Sequence, residues 1–343
     1  MTQPPGNWNI HIRYWGISGS VATPLKPIAI TEKIIASICS LVRGGHLNNL
    51  DHNNLEANVS QLVVENLPFA TRSTWGGNTT CVEVNTPDGL ILLDCGTGVI
   101  NFGIQKEKTW ENSPPEDKKG LLFFSHLHFD HLVGMPFCPL FYNPTNSFDI
   151  ITTAKNSLVL KEWLKQESLL SNALFPPIIS QLKAVKKLVL LEEGVPIEMG
   201  STKITPFQLN HPGGSMAYRI ERNGKAFVYA TDHEQLTETD QALADFAKNA
   251  DVIYMDGQYL LSEYEGLTPI CSGMATNRKG WGHTPMEWCL KTALAAKIKI
   301  LHLGHKDPRR NDQSTENNLK YIKNLNNDQI EIVFPHDGLE CFI

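Results

Sequence analysis

Three imidazoles and a carboxylate fall within six consecutive positions, His126-Leu127-His128-Phe129-Asp130-His131, directly after the apolar run Leu121-Leu122-Phe123-Phe124 and Ser125. In an extended chain, residues two apart point the same way, so His126 and His128 are able to clamp one ion together. Asp130 and His131, where the chain turns into a helix, reach a second. Imidazole nitrogens and a carboxylate at this spacing are ligands for a divalent cation, and the segment has enough donors for two adjacent ions.

The remaining ligands of such a centre should arrive singly, at the ends of later strands. His211 ends the alternating run Thr205-Pro206-Phe207-Gln208-Leu209-Asn210 and opens Pro212-Gly213-Gly214-Ser215. Asp232 follows the apolar run Ala226-Phe227-Val228-Tyr229-Ala230, and a carboxylate there is able to bridge two cations. His305 follows Ile298-Lys299-Ile300-Leu301-His302-Leu303-Gly304, where Gly304 lets the backbone come close. The expected ligand set is therefore His126, His128, Asp130, His131, His211, Asp232 and His305.

This order, H-x-H-x-D-H, then His, Asp and His, resembles the metallo-β-lactamase superfamily over nearly the whole chain. The resemblance includes Asp94-Cys95-Gly96, similar to an early strand-ending Asp-x-Gly whose Asp orders the loops behind the metals. The flanks resemble the phosphodiesterase branch that contains tRNase Z and bacterial cyclic-nucleotide phosphodiesterases. They are Arg13-Tyr14-Trp15-Gly16 with Ser18-Gly19-Ser20, Gly76-Gly77-Asn78-Thr79, Asn210-His211-Pro212-Gly213-Gly214-Ser215, Gly280-Trp281-Gly282-His283-Thr284, and His305-Lys306-Asp307-Pro308. Two positions depart from the pattern: Ser18 stands where the family often has Arg, and Lys306 replaces the second His of His-His-Asp-Pro. The fold so implied is an α/β four-layer αβ/βα sandwich. The branch also implies a homodimer.

The reaction expected is hydrolysis at two divalent ions. Zinc suits His and Asp donors best, and manganese or iron also fits N/O sites. A water bridging the ions has its pKa lowered from about 16 towards 7, so a hydroxide is available as nucleophile at neutral pH. Thr284-Pro285-Met286-Glu287 reads as a capping box with Pro at the first helical position, pinning His283 just before a helix N-terminus. In the resembling tRNase Z group, a His at this G-H-(S/T) position assists the leaving group, paired with an upstream acid, and Asp256 matches that acid. Asp130, His283 and Asp256 are thus the expected catalytic residues. Gly213, Gly214, Ser215, Asn78 and Thr79 are the expected contacts to substrate phosphate, although both loops also read as tight turns.

The elements that must position these groups follow from periodicity and turn chemistry. Strands are expected near 11–17, 80–85, 90–94, 121–125, 148–152, 187–191, 203–209, 216–221, 226–230, 251–256, 298–303, 330–334 and 339–342, and helices near 132–140, 155–166, 238–249, 284–296 and 313–325. Residues 30–43 and 53–65 also read as helices, inside a 24–74 insertion that is expected to be a lid or a dimer contact or simply to cover one edge of the sheet. The 343 residues fit one domain, 1–343, carrying that insertion. Formal net charge is −6, so no global positive field gathers long nucleic acid. Seven cysteines without C-x-x-C spacing suggest reduced thiols. The start lacks a signal-peptide pattern and no run approaches a membrane span, so a cytoplasmic protein without membrane contact is expected.

The function expected first is therefore a metal-dependent phosphodiesterase acting on a small or cyclic nucleotide. Alternatives are tRNA 3′-end processing, which wants a basic arm to grip RNA, and acyl hydrolysis of a lactone, thioester or β-lactam. A non-catalytic nucleotide-binding reading would be expected to lack a ligand, and none is missing.

Overall fold

A computed structural model describes residues 8–48, 50, 52–163, 181–192 and 194–343. One sheet is built from β1 (His11–Gly16), β2 (Cys81–Thr86), β3 (Gly89–Leu93), β4 (Lys119–Phe123), β5 (Ser147–Thr152), β6 (Val185–Leu190) and the closing strand β15 (Glu340–Phe342). Its order is β15-β1-β2-β3-β4-β5-β6. The other sheet contains β7 (Ile197–Met199), β8 (Thr202–Leu209), β9 (Ser215–Arg222), β10 (Lys225–Ala230), β11 (Val252–Tyr259), β13 (Ile300–Gly304) and β14 (Glu331–Val333), with the two-residue β12 (Thr284–Pro285) against β11. Its order is β14-β13-β11-β10-β9-β8-β7.

The alternation of side chains along the first sheet builds two cores at once. Ile91 and Leu93 of β3 and Phe123 of β4 face a core shared with Phe227, Tyr218 and Ile253 of the second sheet. Leu90, Leu92 and Leu122 face the opposite way, onto Val99 and Phe102 of the helix Gly98–Trp110. Strands buried on both faces need apolar residues at successive positions, which is why Leu90-Ile91-Leu92-Leu93 carries no polar residue. On the second sheet, Cys289, Leu290 and Ala293 of the helix Met286–Ala295 pack into the same core as β11 and β13. The layering is the expected αβ/βα sandwich.

Several elements differ from the sequence reading. The helix expected near 132–140 is instead the short helix Phe129–Leu132 followed by single turns of 3₁₀ helix at Met135–Phe137 and Pro139–Phe141. Pro136 and Pro139 each lack the N–H that a continuous helix would use. The helix Gly98–Trp110 was not anticipated, because its start follows the Asp94 loop without a capping side chain. The helix near 155–166 is seen as Ala154–Trp163, and the expected 164–166 part lies outside the described residues.

The segment expected as an insertion, 24–74, contains helices Pro27–Arg43, Leu55–Asn66 and Phe69–Arg72. On the first, Ile34, Ile35, Ile38 and Val42 are 54–58 % exposed, while Leu41 is buried. The helix is held by its other side. Lys33 reaches Asp312 and the carbonyls of Ala70 and Ser73.

One buried histidine on β13 makes a stability prediction. Burial holds His302 at a pKa of about 3, and its Nδ1 lies 2.6 Å from the Tyr14 hydroxyl. The folded value lies below the ordinary 6.5, so the stability this residue contributes is present above pH 6.5 and is lost as pH falls towards 3. Over that window the limiting slope is about 1.4 kcal/mol per pH unit. His302→Gln is expected to remove this part of the acid limb in denaturant titrations from pH 7 to 4; an unchanged slope would show that the imidazole titrates normally.

Candidate metal centre

The site lies at one edge of the sandwich, where parallel strands end together. In the first sheet, β3 pairs β4 with Leu93 opposite Phe123, which brings Asp94 beside Ser125. In the second, Ala230 pairs Met255 and Asp256 pairs Gly304, so the residues after β10, within β11 and after β13 converge. Three of the side chains at these strand ends, Asp94, Asp232 and His305, have positive φ of 60°, 53° and 56°. Left-handed backbone is uncommon for residues other than glycine and tends to collect at functional sites. Here it turns each chain sharply as its strand ends. Gly304 permits the close approach expected of it, since a Cβ there would lie 2.1 Å from the Tyr254 hydroxyl. That hydroxyl accepts the His305 backbone N–H.

All seven expected ligands come together. The donor atoms of His126, His128 and His211 lie within 4.8 Å of one another, as do those of Asp130, His131 and His305. Asp232 stands between the two sets. Its Oδ1 is 3.9 Å from Nε2 of His126 and of His211 and 3.2 Å from Nε2 of His305, and its Oδ2 is 3.2 Å from Nε2 of His131. Asp130 Oδ2 lies 3.4 Å from His131 Nε2 and 3.3 Å from His305 Nε2. His128 turns Nδ1, rather than Nε2, towards His211 at 3.1 Å.

The electrostatics of the two sets differ. Burial lowers the pKa of His126, His128 and His211, which keeps these imidazoles neutral with lone pairs available. His131 and His305 are also buried, but Asp232 and Asp130 overcome that burial, raising His131 well above the ordinary value and His305 to about 9. Despite its burial, Asp232 is held well below the usual carboxylate range by the surrounding imidazoles. The field at the centre favours positive charge, and Nε2 of His126 and of His131 is buried without a hydrogen-bond partner. Unsatisfied buried nitrogens beside ionised carboxylates are what a divalent cation would satisfy, so the donor set fits a metal.

Behind the ligands, Asp94 accepts the Ser125 backbone N–H at 2.8 Å, the Ser125 hydroxyl at 2.8 Å and the Tyr229 hydroxyl at 2.7 Å, and lies 2.9 Å from His131 Nδ1. A proton on His131 Nδ1 leaves Nε2 facing the centre. Asp94→Ala is expected to weaken metal affinity by about 10- to 100-fold in chelator competition, with Tyr229 and Ser125 losing their acceptor; wild-type affinity would remove the orienting role. His211 is oriented by the Gly282 carbonyl, 2.8 Å from its Nδ1. Gly282 has φ of 93°, and a Cβ there would lie 2.3 Å from His211 Nδ1.

His283 and Asp256 join the same cluster. Asp256 Oδ2 is 2.5 Å from His283 Nδ1, and the His283 ring stacks on that of His305 with centroids 4.8 Å apart. The capping box expected at Thr284-Pro285-Met286-Glu287 does not form. The helix begins at Met286, Thr284 donates to the His233 carbonyl, and Glu287 accepts the Leu261 N–H instead. His283 is therefore positioned by Asp256 rather than by a helix terminus.

The expected substrate contacts are placed less favourably. Asn78 and Thr79 are engaged within the protein. The Asn78 side chain donates to Asp337 and accepts from the Thr97 hydroxyl, while Thr79 Oγ1 accepts the Thr97 N–H. Ser215 is buried with its hydroxyl on the Thr231 carbonyl. Gly213 and Gly214 both have positive φ in the turn after His211, and Gly213 lies beside the exposed His128.

Sequence reasoning missed Glu234. Its carboxylate accepts from the N–H groups of Gly280 and Gly282 and from the Tyr264 hydroxyl, and so pins the loop that carries His283. It also assigned no role to Ser20, whose N–H donates to Asp130 Oδ2 at 2.8 Å. Neither position has a periodic signal. Ser20 lay in a motif already singled out, and Glu234 lies two residues from Asp232.

Residues 90–306, which hold every candidate ligand named above, match the Beta-lactamase superfamily domain. Ribonuclease BN of Escherichia coli O17:K52:H18 is 30 % identical over 164 residues, covering 43 % of this chain and 45 % of that protein, so the match spans less than half of either. The metallo-beta-lactamase fold protein YhfI from Bacillus subtilis superposes with TM-score 0.59 at 15 % identity, over 98 % of this chain and all of the other. Yeast PDE1, unliganded, superposes with TM-score 0.60 at 11 % identity, over 98 % of this chain and 100 % of that one. These two likenesses are of fold. No helix among the described residues is long and apolar enough to cross a membrane.

Proposed function

The chain belongs to the beta-lactamase superfamily, and from that premise we propose that this metallo-β-lactamase-fold hydrolase is a phosphodiesterase cleaving a small or cyclic nucleotide diester at a two-metal centre. His126, His128 and His211 would hold one ion and Asp130, His131 and His305 the other, with Asp232 between them. A divalent pair, when bound, supplies ionised water at neutral pH and neutralises the non-bridging oxygens of an anionic diester.

The observation that carries this reading is the His283–Asp256 pair beside the ligand cluster. A diester leaves as an alkoxide that needs a proton, and the pair is built to deliver one. Asp256 accepts the Nδ1–H of His283, fixes the ring and stabilises its imidazolium form. Nε2–H is then the proton donated to the leaving oxygen, after which neutral His283 keeps its bond to Asp256.

The likeness to ribonuclease BN favours a second reading, RNA cleavage. A net charge of −6 opposes it, since RNA binding draws on neutralising phosphates. Lys186, close in the chain to Lys183 and Lys187, is tied to the carbonyls of Pro144 and Lys183. The test is turnover by zinc- or manganese-loaded protein of 3′,5′-cyclic nucleotides, bis(p-nitrophenyl) phosphate and a precursor tRNA, with Asp130→Ala as the blank. Cyclic-nucleotide turnover absent from the blank supports the proposal; cleavage of the tRNA alone replaces it with the ribonuclease reading.

A further inference from the structure

The loop that carries His283 also presents Trp281, whose side chain is 51 % exposed. Tryptophan is enriched at interfaces, because its large indole gains by leaving water. Its backbone is anchored on three sides. Gly280 and Gly282 donate to Glu234, and the Trp281 N–H donates to the Arg278 carbonyl. The ring is also backed from within: the guanidinium of Arg278, itself fully buried, lies 5.9 Å from the Trp281 ring centroid and 5.2 Å from that of Tyr259. Tyr259 in turn packs edge-on against His283 at 6.0 Å.

A stack of His283, Tyr259, Arg278 and Trp281 therefore runs from the proton donor to the surface. One neighbour of Trp281 in the chain, Gly282, orients the ligand His211 through its carbonyl. Trp281 thus stands one residue from the carbonyl that orients His211 and two residues from His283. The cation behind the ring polarises it, and half of its surface is left for a flat, π-rich group.

We propose that Trp281 is the platform on which the nucleobase of the substrate stacks, making it a specificity-determining residue; this rests on the phosphodiesterase reading above. Stacking of this kind tolerates any base and contributes to binding of the nucleoside rather than to the chemical step. Phosphate and ribose would then be held at the metals, with the base on the indole.

The test compares wild type, Trp281→Phe and Trp281→Ala, each metal-loaded, on adenosine 3′,5′-cyclic phosphate and on the same cyclic ribose phosphate lacking a base. Trp281→Ala is expected to raise KM for the nucleotide about 10- to 100-fold more than for the base-free ester, and Trp281→Phe to recover most of the difference. Equal effects on both esters, or none, would overturn the platform while leaving the phosphodiesterase reading intact. Should wild type turn over neither ester, that reading fails, and calorimetric titration with adenosine 5′-monophosphate decides the platform separately. Weaker binding by Trp281→Ala but not by Trp281→Phe sustains it, and equal binding by all three removes it. Metal content and melting temperature of each variant separate loss of the platform from loss of fold.

Discussion

Asp232→Ala is expected to abolish diester turnover, by on the order of 10³-fold or more, and to lower the metal content of dialysed protein measured by elemental analysis. Asp232 lies within 3.9 Å of Nε2 of His126 and His211 on one side and of His131 and His305 on the other. Without it, six donors remain but their shared anionic oxygen pair is gone. Asp232→Asn should fall between wild type and alanine, since an amide oxygen keeps the shape without the charge. Full metal content together with wild-type turnover in the alanine variant would show that the two sets act independently.

The second large effect is expected at His283. If it donates the proton, His283→Ala should leave metal content intact and lower turnover of esters with alkoxide leaving groups by about 10²- to 10⁴-fold. Turnover of p-nitrophenyl esters, whose leaving group needs no proton, should fall far less. Asp256→Asn should act in the same direction, because the amide no longer stabilises an imidazolium across the 2.5 Å contact with Nδ1. Equal losses on both classes of ester would assign His283 to binding or structure instead.

How far the site could be read beforehand differs from residue to residue. His126, His128, Asp130 and His131 were legible because four donors in six positions are a local pattern, and local spacing survives any tertiary arrangement. His211, Asp232 and His305 were legible as donors at strand ends, since period-two apolar runs mark where strands stop. The loops at Asn78 and Ser215 read equally as phosphate contacts or as tight turns, because glycine-rich turns look alike whether they face a ligand or brace a neighbour. Only the partners decide, and here they are Asp337, Thr97 and the Thr231 carbonyl. The capping box failed for a related reason. Thr284 fits an N-cap in isolation, but pairing of Gly257 with Thr284 draws it into a bridge with β11 and its hydroxyl goes to His233.

By itself, the sequence determined which segments alternate, where they break, and that a dense set of metal donors sits at those breaks. These are properties of neighbours in the chain, set by side-chain period and turn chemistry. Tertiary structure supplied as geometry the position of Asp232 between two donor sets and the contact of His283 with Asp256, which the family resemblance had implied, and it alone revealed that Glu234 pins the loop carrying His283. Each of those relations joins residues at least 21 positions apart, the Asp232–His211 contact being the shortest in sequence, and depends on strand order and register. Parallel pairing of β10, β11 and β13 brings their ends to one edge, and no period within a single segment encodes which strands will lie side by side.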